Sequence, residues 1–166
     1  MNENLASLGY RMPAEWEKQS STWLAWPHNK NDWPDKFENI PSTFAKIASA
    51  LSKVQNVDIL IQSKAVKKNI RKILVKEKTN INKVNFHIIK TNRVWTRDTG
   101  PIFLINDLLK KKIMTNFHFN AWAKYKDYNF DNNIKSQIAK IKNIDLIDIK
   151  AKIKNKIKDI ILEGGA

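Results

Sequence analysis

Apolar residues along this 166-residue chain recur with two periods, and the switching between them outlines a series of strands and helices. Thr22-Trp-Leu-Ala-Trp26 is a short apolar run stopped by Pro27, which predicts a buried strand. The turn formers of Pro27–Pro34 predict a loop. Pro41-Ser42 open a helix on which Phe44, Ile47, Ala48, Leu51 and Val54 make one stripe. Val57–Ile61 predicts a second strand. Ser63 is placed to cap a second helix, with Val66, Ile70, Ile73 and Leu74 on one face. Val84–Ile89 predicts a third strand.

Pro101–Ile105 and Ile113–Phe119 predict two strands joined by the polar link 106–112. In the second, Ile113, Thr115, Phe117 and Phe119 face one way and Met114, Asn116 and His118 the other. Asp131 is expected to cap a third helix carrying Ile134, Ile138 and Ile141, and Ile144–Ile149 to form another strand. From Lys150 to Lys158, lysines alternate with Ala151, Ile153, Asn155 and Ile157. This predicts one edge strand whose charged face protects it from pairing with strangers. Residues 159–166 predict a buried strand running into Gly164-Gly165. The resulting order is mixed α/β, with parallel and antiparallel pairing both available. It suggests two strand-and-helix units separated near residue 100.

Composition narrows the picture. A hydrophobic fraction of 42% and an aromatic fraction of 10% suit a folded chain, and its length suits one domain or a piece of a larger one. No apolar run approaches the roughly 20 residues of a membrane span, and no secretory leader pattern opens the chain, which together favour the cytoplasm. With no cysteine, disulfides, thiolate metal sites and cysteine nucleophiles are excluded for this chain by itself. His28, His87 and His118 lack ligand spacing, so no metal is expected. The net charge of +14 invites a nucleic-acid partner. Its even spread along a Lys-, Ile- and Asn-rich sequence instead points to solvated faces under a base-composition bias. Any cation pocket must then work through local carboxylates.

One stretch is not asked for by packing. Trp95-Thr-Arg-Asp-Thr-Gly-Pro101 crowds an indole, a guanidinium and a carboxylate into one turn after an apolar run. A grip on a small cation would use Asp98 for charge, Trp95 as a flat wall and Gly100-Pro101 for a tight backbone. A structural turn in which Arg97 and Asp98 pair with neighbours would use the same residues.

Three further patches accompany it: Met12-Pro-Ala-Glu-Trp-Glu17 leading into Thr22-Trp-Leu-Ala-Trp-Pro-His28, Phe119-Asn-Ala-Trp122 with Lys124-Tyr125, and Leu162-Glu-Gly-Gly165. In this order they resemble the agmatine deiminase family, bacterial relatives of the peptidylarginine deiminases, over nearly the whole chain. The resemblance implies a partial pentein fold of the α/β propeller type, about half of a ring of five strand-helix units around a central site. It implies hydrolysis of the guanidinium of agmatine to N-carbamoylputrescine and ammonia, toward putrescine, by a cysteine nucleophile with a histidine moving protons and no cofactor. Carboxylates match a guanidinium's planar fork of donors and leave its carbon open to sulfur.

By motif position, Asp98 would hold the guanidinium and Glu163 would be a second active-site acid. Trp95 would wall the substrate site, and Gly164 and Gly165 would let the backbone pass close. Arg97 is expected to brace the loop through an ion pair, Trp33 and Trp122 to be mainly core, and His28 and His118 to be structural. The family usually has glycine after Phe119-Asn-Ala-Trp122, where this chain has Ala123, which would stiffen the turn.

The whole chain, 1–166, is expected to be a single N-terminal portion of such an enzyme, without the part that carries the catalytic His and Cys. By itself it is expected to be inactive, and to self-associate or need a second polypeptide to complete the ring. Protein-arginine deiminase-type activity on another guanidine and a non-catalytic guanidine- or nucleic-acid-binding remnant are the alternatives.

Overall fold

A computed structural model describes residues 4–162 of the chain. Lys18–Thr96 form one compact unit and the segments on either side form another. The first unit is built on three parallel strands, β1 (Ser21–Ala25), β2 (Asn56–Ile61) and β3 (Val84–Ile88), in the order β1-β2-β3. Helix α1 (Ile40–Leu51) connects the first pair and α2 (Lys67–Lys76) the second.

Pro41 sits in the first turn of α1, where its missing N–H costs nothing. Ala45 and Ala48 let that helix lie close to the sheet, while Ile47 and Val54 of the expected stripe remain exposed. Ser63 does not cap α2. The chain first makes a turn over residues 64–66 and the helix begins at Lys67, with no side chain capping it.

The core follows from the pleat of β2. Val57, Ile59 and Ile61 alternate onto one face and pack with Ala45, Ala48, Ile70 and Leu74 of the helices. Asp58 and Leu60 take the other face and are equally buried.

In the second unit, β4 (Ile102–Asn106) and β5 (Lys111–Asn116) form an antiparallel pair, and β6 (Leu146–Asp148) adds to β5 in parallel. Ile113, Met114 and Thr115 are all buried, so β5 is covered on both faces rather than alternating. Helix α5 (Ile134–Lys142) packs against β5 and ends on Asn143, a left-handed residue of the kind that commonly stops helices. The four-residue α4 (Asn129–Asn132) precedes it and contains Asp131, which is buried in that turn and does not cap α5. Instead the Asn132 side chain accepts from the backbone N–H of Phe119 at 2.9 Å.

The lysine-rich stretch is not one strand. It is a hairpin, β7 (Lys150–Ile153) and β8 (Lys156–Asp159), turned by Lys154 and Asn155 at φ 44° and 62°. Two consecutive positive-φ residues are what a tight two-residue turn needs. Of the buried strand expected beyond it, the described part makes one bridge, Ile161 to His118, with Ile161 and Leu162 exposed, and the rest lies outside the described residues. The fold is thus mixed α/β in small sheets of three, three and two strands, with no closed sheet among the described residues. No described helix is long and apolar enough to cross a membrane.

Lys135, on α5, is only 2% exposed, and its ammonium has no hydrogen-bond partner among the described residues. Burial pushes it down to about 8, with nearby Asp131 opposing the shift. Between about pH 8 and 10.5 the unfolded chain therefore holds more protons at this site than the folded one, so stability rises with pH across that window. We expect Lys135→Met to raise stability near pH 7 by on the order of 1–3 kcal/mol and to flatten that rise. Urea midpoints of both proteins at pH 7 and pH 10 measure this; parallel pH dependences would contradict it.

Candidate functional site

The tryptophan-arginine-aspartate segment leaves β3 through a loop whose Thr91, Arg93 and Val94 are buried. Arg93 Nε lies 3.8 Å from Asp32 Oδ1, both side chains largely buried. One residue beyond Asp32 and two beyond Arg93, the indoles of Trp33 and Trp95 meet at a tilt with centroids 6.4 Å apart. Trp33 also meets Phe37 and Phe44, so it is anchored in the aromatic packing of the first unit, while Trp95 stays 47% exposed. These two adjacent pairs hold the loop against the 3-10 turn Lys30–Asp32.

Helix α3 (Thr96–Thr99) then spans the division between the units. The Thr96 hydroxyl ties its start to β1 by donating to the Trp23 carbonyl at 3.0 Å. Arg97 turns outward and donates to Glu15, so its charge is spent on a surface pair. Asp98, half-buried one residue on, is not the partner of Arg97 in that pair.

Of the three residues singled out from the sequence, Trp95 closes the first unit and Asp98 stands at the start of the second. Glu163 lies outside the described residues, as do Gly164 and Gly165.

The segment before β1 is held by charge. Arg11 pairs with Ile105 across the edge of β4, and its guanidinium forks onto both Glu17 oxygens at 2.6 and 3.1 Å while Nε reaches Asp107 at 2.8 Å. The Arg11 bonds, joined by the Ala14 N–H, draw the Glu17 carboxyl down to about 2.

In the second unit, Asn120 begins a turn in which Ala121, Trp122 and Ala123 all have positive φ, 53°, 56° and 54°. Its side-chain oxygen accepts from the Ala123 N–H at 3.2 Å. Trp122 sets its edge against Phe119 and Tyr125. Three successive left-handed non-glycine residues store strain of the sort that collects at functional loops. Ala123 stands in the conformation that glycine adopts freely.

A second constellation escaped the sequence. On the sheet face turned away from the helices, His87 Nε2 and Asp58 Oδ1 lie 2.6 Å apart, and Trp23 stacks on the imidazole with centroids at 4.9 Å. The three come from β3, β2 and β1. The one available signal was a carboxylate inside the apolar run Val57–Ile61, since a charge buried in a central strand needs a partner. His28 lies near the Gln62 amide and the Trp26 carbonyl, and His118 sets its edge against Tyr128.

A family model described as Porphyromonas-type peptidyl-arginine deiminase matches residues 11–166. The agmatine deiminase of Pseudomonas aeruginosa is 31% identical over 95% of this chain, and that of Pseudomonas syringae pv. tomato is 28% identical over 100% of it. The chain spans about two-fifths of the length of these relatives, 40% and 42%. Among solved structures, the agmatine deiminase of Enterococcus faecalis superimposes with a TM-score of 0.79 at 27% identity, over 96% of this chain and 40% of that one. The C. jejuni agmatine deiminase with substrate bound gives 0.72 at 26%, over 94% and 41%.

Two substitutions test the local geometry. Ala123→Gly relieves one left-handed side chain at the cost of a more flexible unfolded chain, and should stabilise by about 0.5–1 kcal/mol; a lower urea midpoint would contradict it. His87→Ala removes a partner of a carboxylate whose side chain is 1% exposed, and should cost on the order of 3 kcal/mol. An unchanged midpoint would show that this pair contributes nothing.

Proposed function

The chain belongs to the Porphyromonas-type peptidyl-arginine deiminase family, and from that membership we propose that it is the carboxylate-bearing portion of an agmatine deiminase. The observation that carries this reading is the likeness to agmatine deiminases along almost the full chain, in sequence and in fold. In this reading its two units belong to a pentein ring. The reaction is hydrolysis of the guanidinium of agmatine to N-carbamoylputrescine and ammonia, a cytoplasmic step toward putrescine.

Asp98 accepts from the guanidinium nitrogens, and its charge offsets the cation. Trp95 lies against the flat face, where an indole favours a delocalised cation. Glu163 is the second acid of the site. Held at its edges, the guanidinium leaves its carbon open to attack. The pairing of Arg97 with Glu15 supports the role of Asp98, because a carboxylate already bridged to its neighbouring cation would have less charge to offer a substrate. A chain without cysteine cannot supply a thiolate, so the nucleophile comes from outside this sequence and the chain alone turns nothing over. Completion by a second polypeptide, or association with its own copies, follows from the same reading.

A second reading, action on the arginine of a peptide, is favoured by the description of the matching family model. Fusing this chain to the remaining portion of the Pseudomonas aeruginosa relative and measuring ammonia release from agmatine and from a blocked arginine peptide separates the two. Agmatine should be preferred. In that fusion Asp98→Asn should lower kcat/KM by roughly a hundredfold or more, because the contact tightens as the carbon is attacked. An unchanged kcat/KM would remove Asp98 from the site.

A further inference from the structure

The positive charge of the chain is unevenly placed. Lys18–Thr96 carry fifteen Lys and Arg against five Asp and Glu, a net charge of +10, whereas the rest of the chain carries fifteen against eleven, a net charge of +4. A lysine-rich composition explains the bases, which are equal in number, but not the missing acids.

The loss is concentrated on one layer. Between Asn39 and Lys76 the sole acidic residue is Asp58, which is fully buried on the sheet face turned away from the helices, while eight Lys and Arg in that span are all exposed. The outward side of α2 presents Lys68, Arg71, Lys72 and Lys76, and α1 with the turn beyond it presents Lys46 and Lys53. Glu77, at the end of α2, is half-buried and accepts from the Ser42 hydroxyl at 2.8 Å.

Aliphatic side chains stand among these bases. Ile47 is 42% exposed, Val75 55% and Val54 79%, and no aromatic side chain is exposed on either helix. Two helices side by side make a face about 20 Å wide, too broad for a DNA major groove of about 12 Å. Without exposed rings it also lacks the platforms on which single-stranded bases stack. A broad basic face studded with short aliphatics matches the headgroup layer of an anionic bilayer, where lysines meet the phosphates and carboxylates and the aliphatics reach the acyl boundary.

We propose that the outer face of α1 and α2 is a docking surface for anionic lipid bilayers. It acts independently of the guanidine site and needs no residue of it.

The test is co-sedimentation of the 166-residue chain with vesicles of 70% phosphatidylcholine and 30% phosphatidylserine, and with pure phosphatidylcholine, at 0.1 M and 0.5 M salt. Binding is expected to the mixed vesicles alone, and to fall steeply at the higher salt. Neutralising Lys68, Arg71, Lys72 and Lys76 together to Gln should weaken it by roughly tenfold or more. Neutralising Lys140, Lys152, Lys156 and Lys158, which changes net charge equally, should leave it within about twofold. Val54→Ser with Val75→Ser should weaken vesicle binding at constant charge.

Far-ultraviolet circular dichroism of each variant confirms that exposed-site changes leave the fold intact. The salt series on the unaltered chain stands even where a variant fails that check. Equal loss in both quadruple variants would reduce the effect to net charge and overturn the proposal. So would no binding to the mixed vesicles, or tighter retention of duplex DNA than of vesicles at the same salt.

Discussion

Everything in the first unit depends on one strand. β2 is the central strand that pairs with both β1 and β3, and it is buried on both faces. Toward the helices it offers Val57, Ile59 and Ile61; toward the opposite face it offers Leu60 and a charged residue, Asp58. Aliphatic burial on one side yields of order 1.5–3 kcal/mol per side chain. On the other side a carboxylate must be satisfied within the sheet, which is why His87 comes from β3 to meet it and Trp23 from β1 to cover the imidazole. The same three-strand register sets the end of β3, and so the start of the loop that carries Trp95.

Charge partition decides what that loop can do. Arg93 is drawn to Asp32 and Arg97 to Glu15, and Arg11 forks onto Glu17. Each of these guanidinium groups therefore has an acid other than Asp98, which is half-buried and which the proposed function gives to a cation brought from outside. In a chain with a net charge of +14 the long-range field repels such a cation, so the proposed grip relies on short-range contacts rather than on steering.

The regular elements were legible where a single period ran long enough. The helical stripe from Phe44 to Leu51, the apolar runs at Val57–Ile61 and Val84–Ile89, and the pair flanking the polar link 106–112 correspond to α1, β2, β3, β4 and β5. Alternation of Lys and Ile from 150 to 158 suits one long strand or two short ones equally. With no glycine to mark a turn, the positive φ of Lys154 and Asn155 was invisible. The caps expected at Ser63 and Asp131 failed because a turn precedes each helix and moves its start beyond the expected capping residue. Family membership was legible because it rests on words such as Trp-Thr-Arg-Asp-Thr-Gly-Pro, whose mixture of residue types packing alone does not demand. The His87–Asp58 pair was not, since its partners lie in separate strands and meet only through register.

The account turns on the carboxylate of Asp98 meeting a guanidinium. A crystal structure of this chain joined to the remainder of a relative, with agmatine bound and its nucleophile disabled, addresses that contact directly. The account predicts both Asp98 oxygens within about 3 Å of guanidinium nitrogens, with the Trp95 ring lying along the plane of the ligand. Agmatine seated away from Asp98, with that side chain turned onto Arg97 or into solvent, would contradict it.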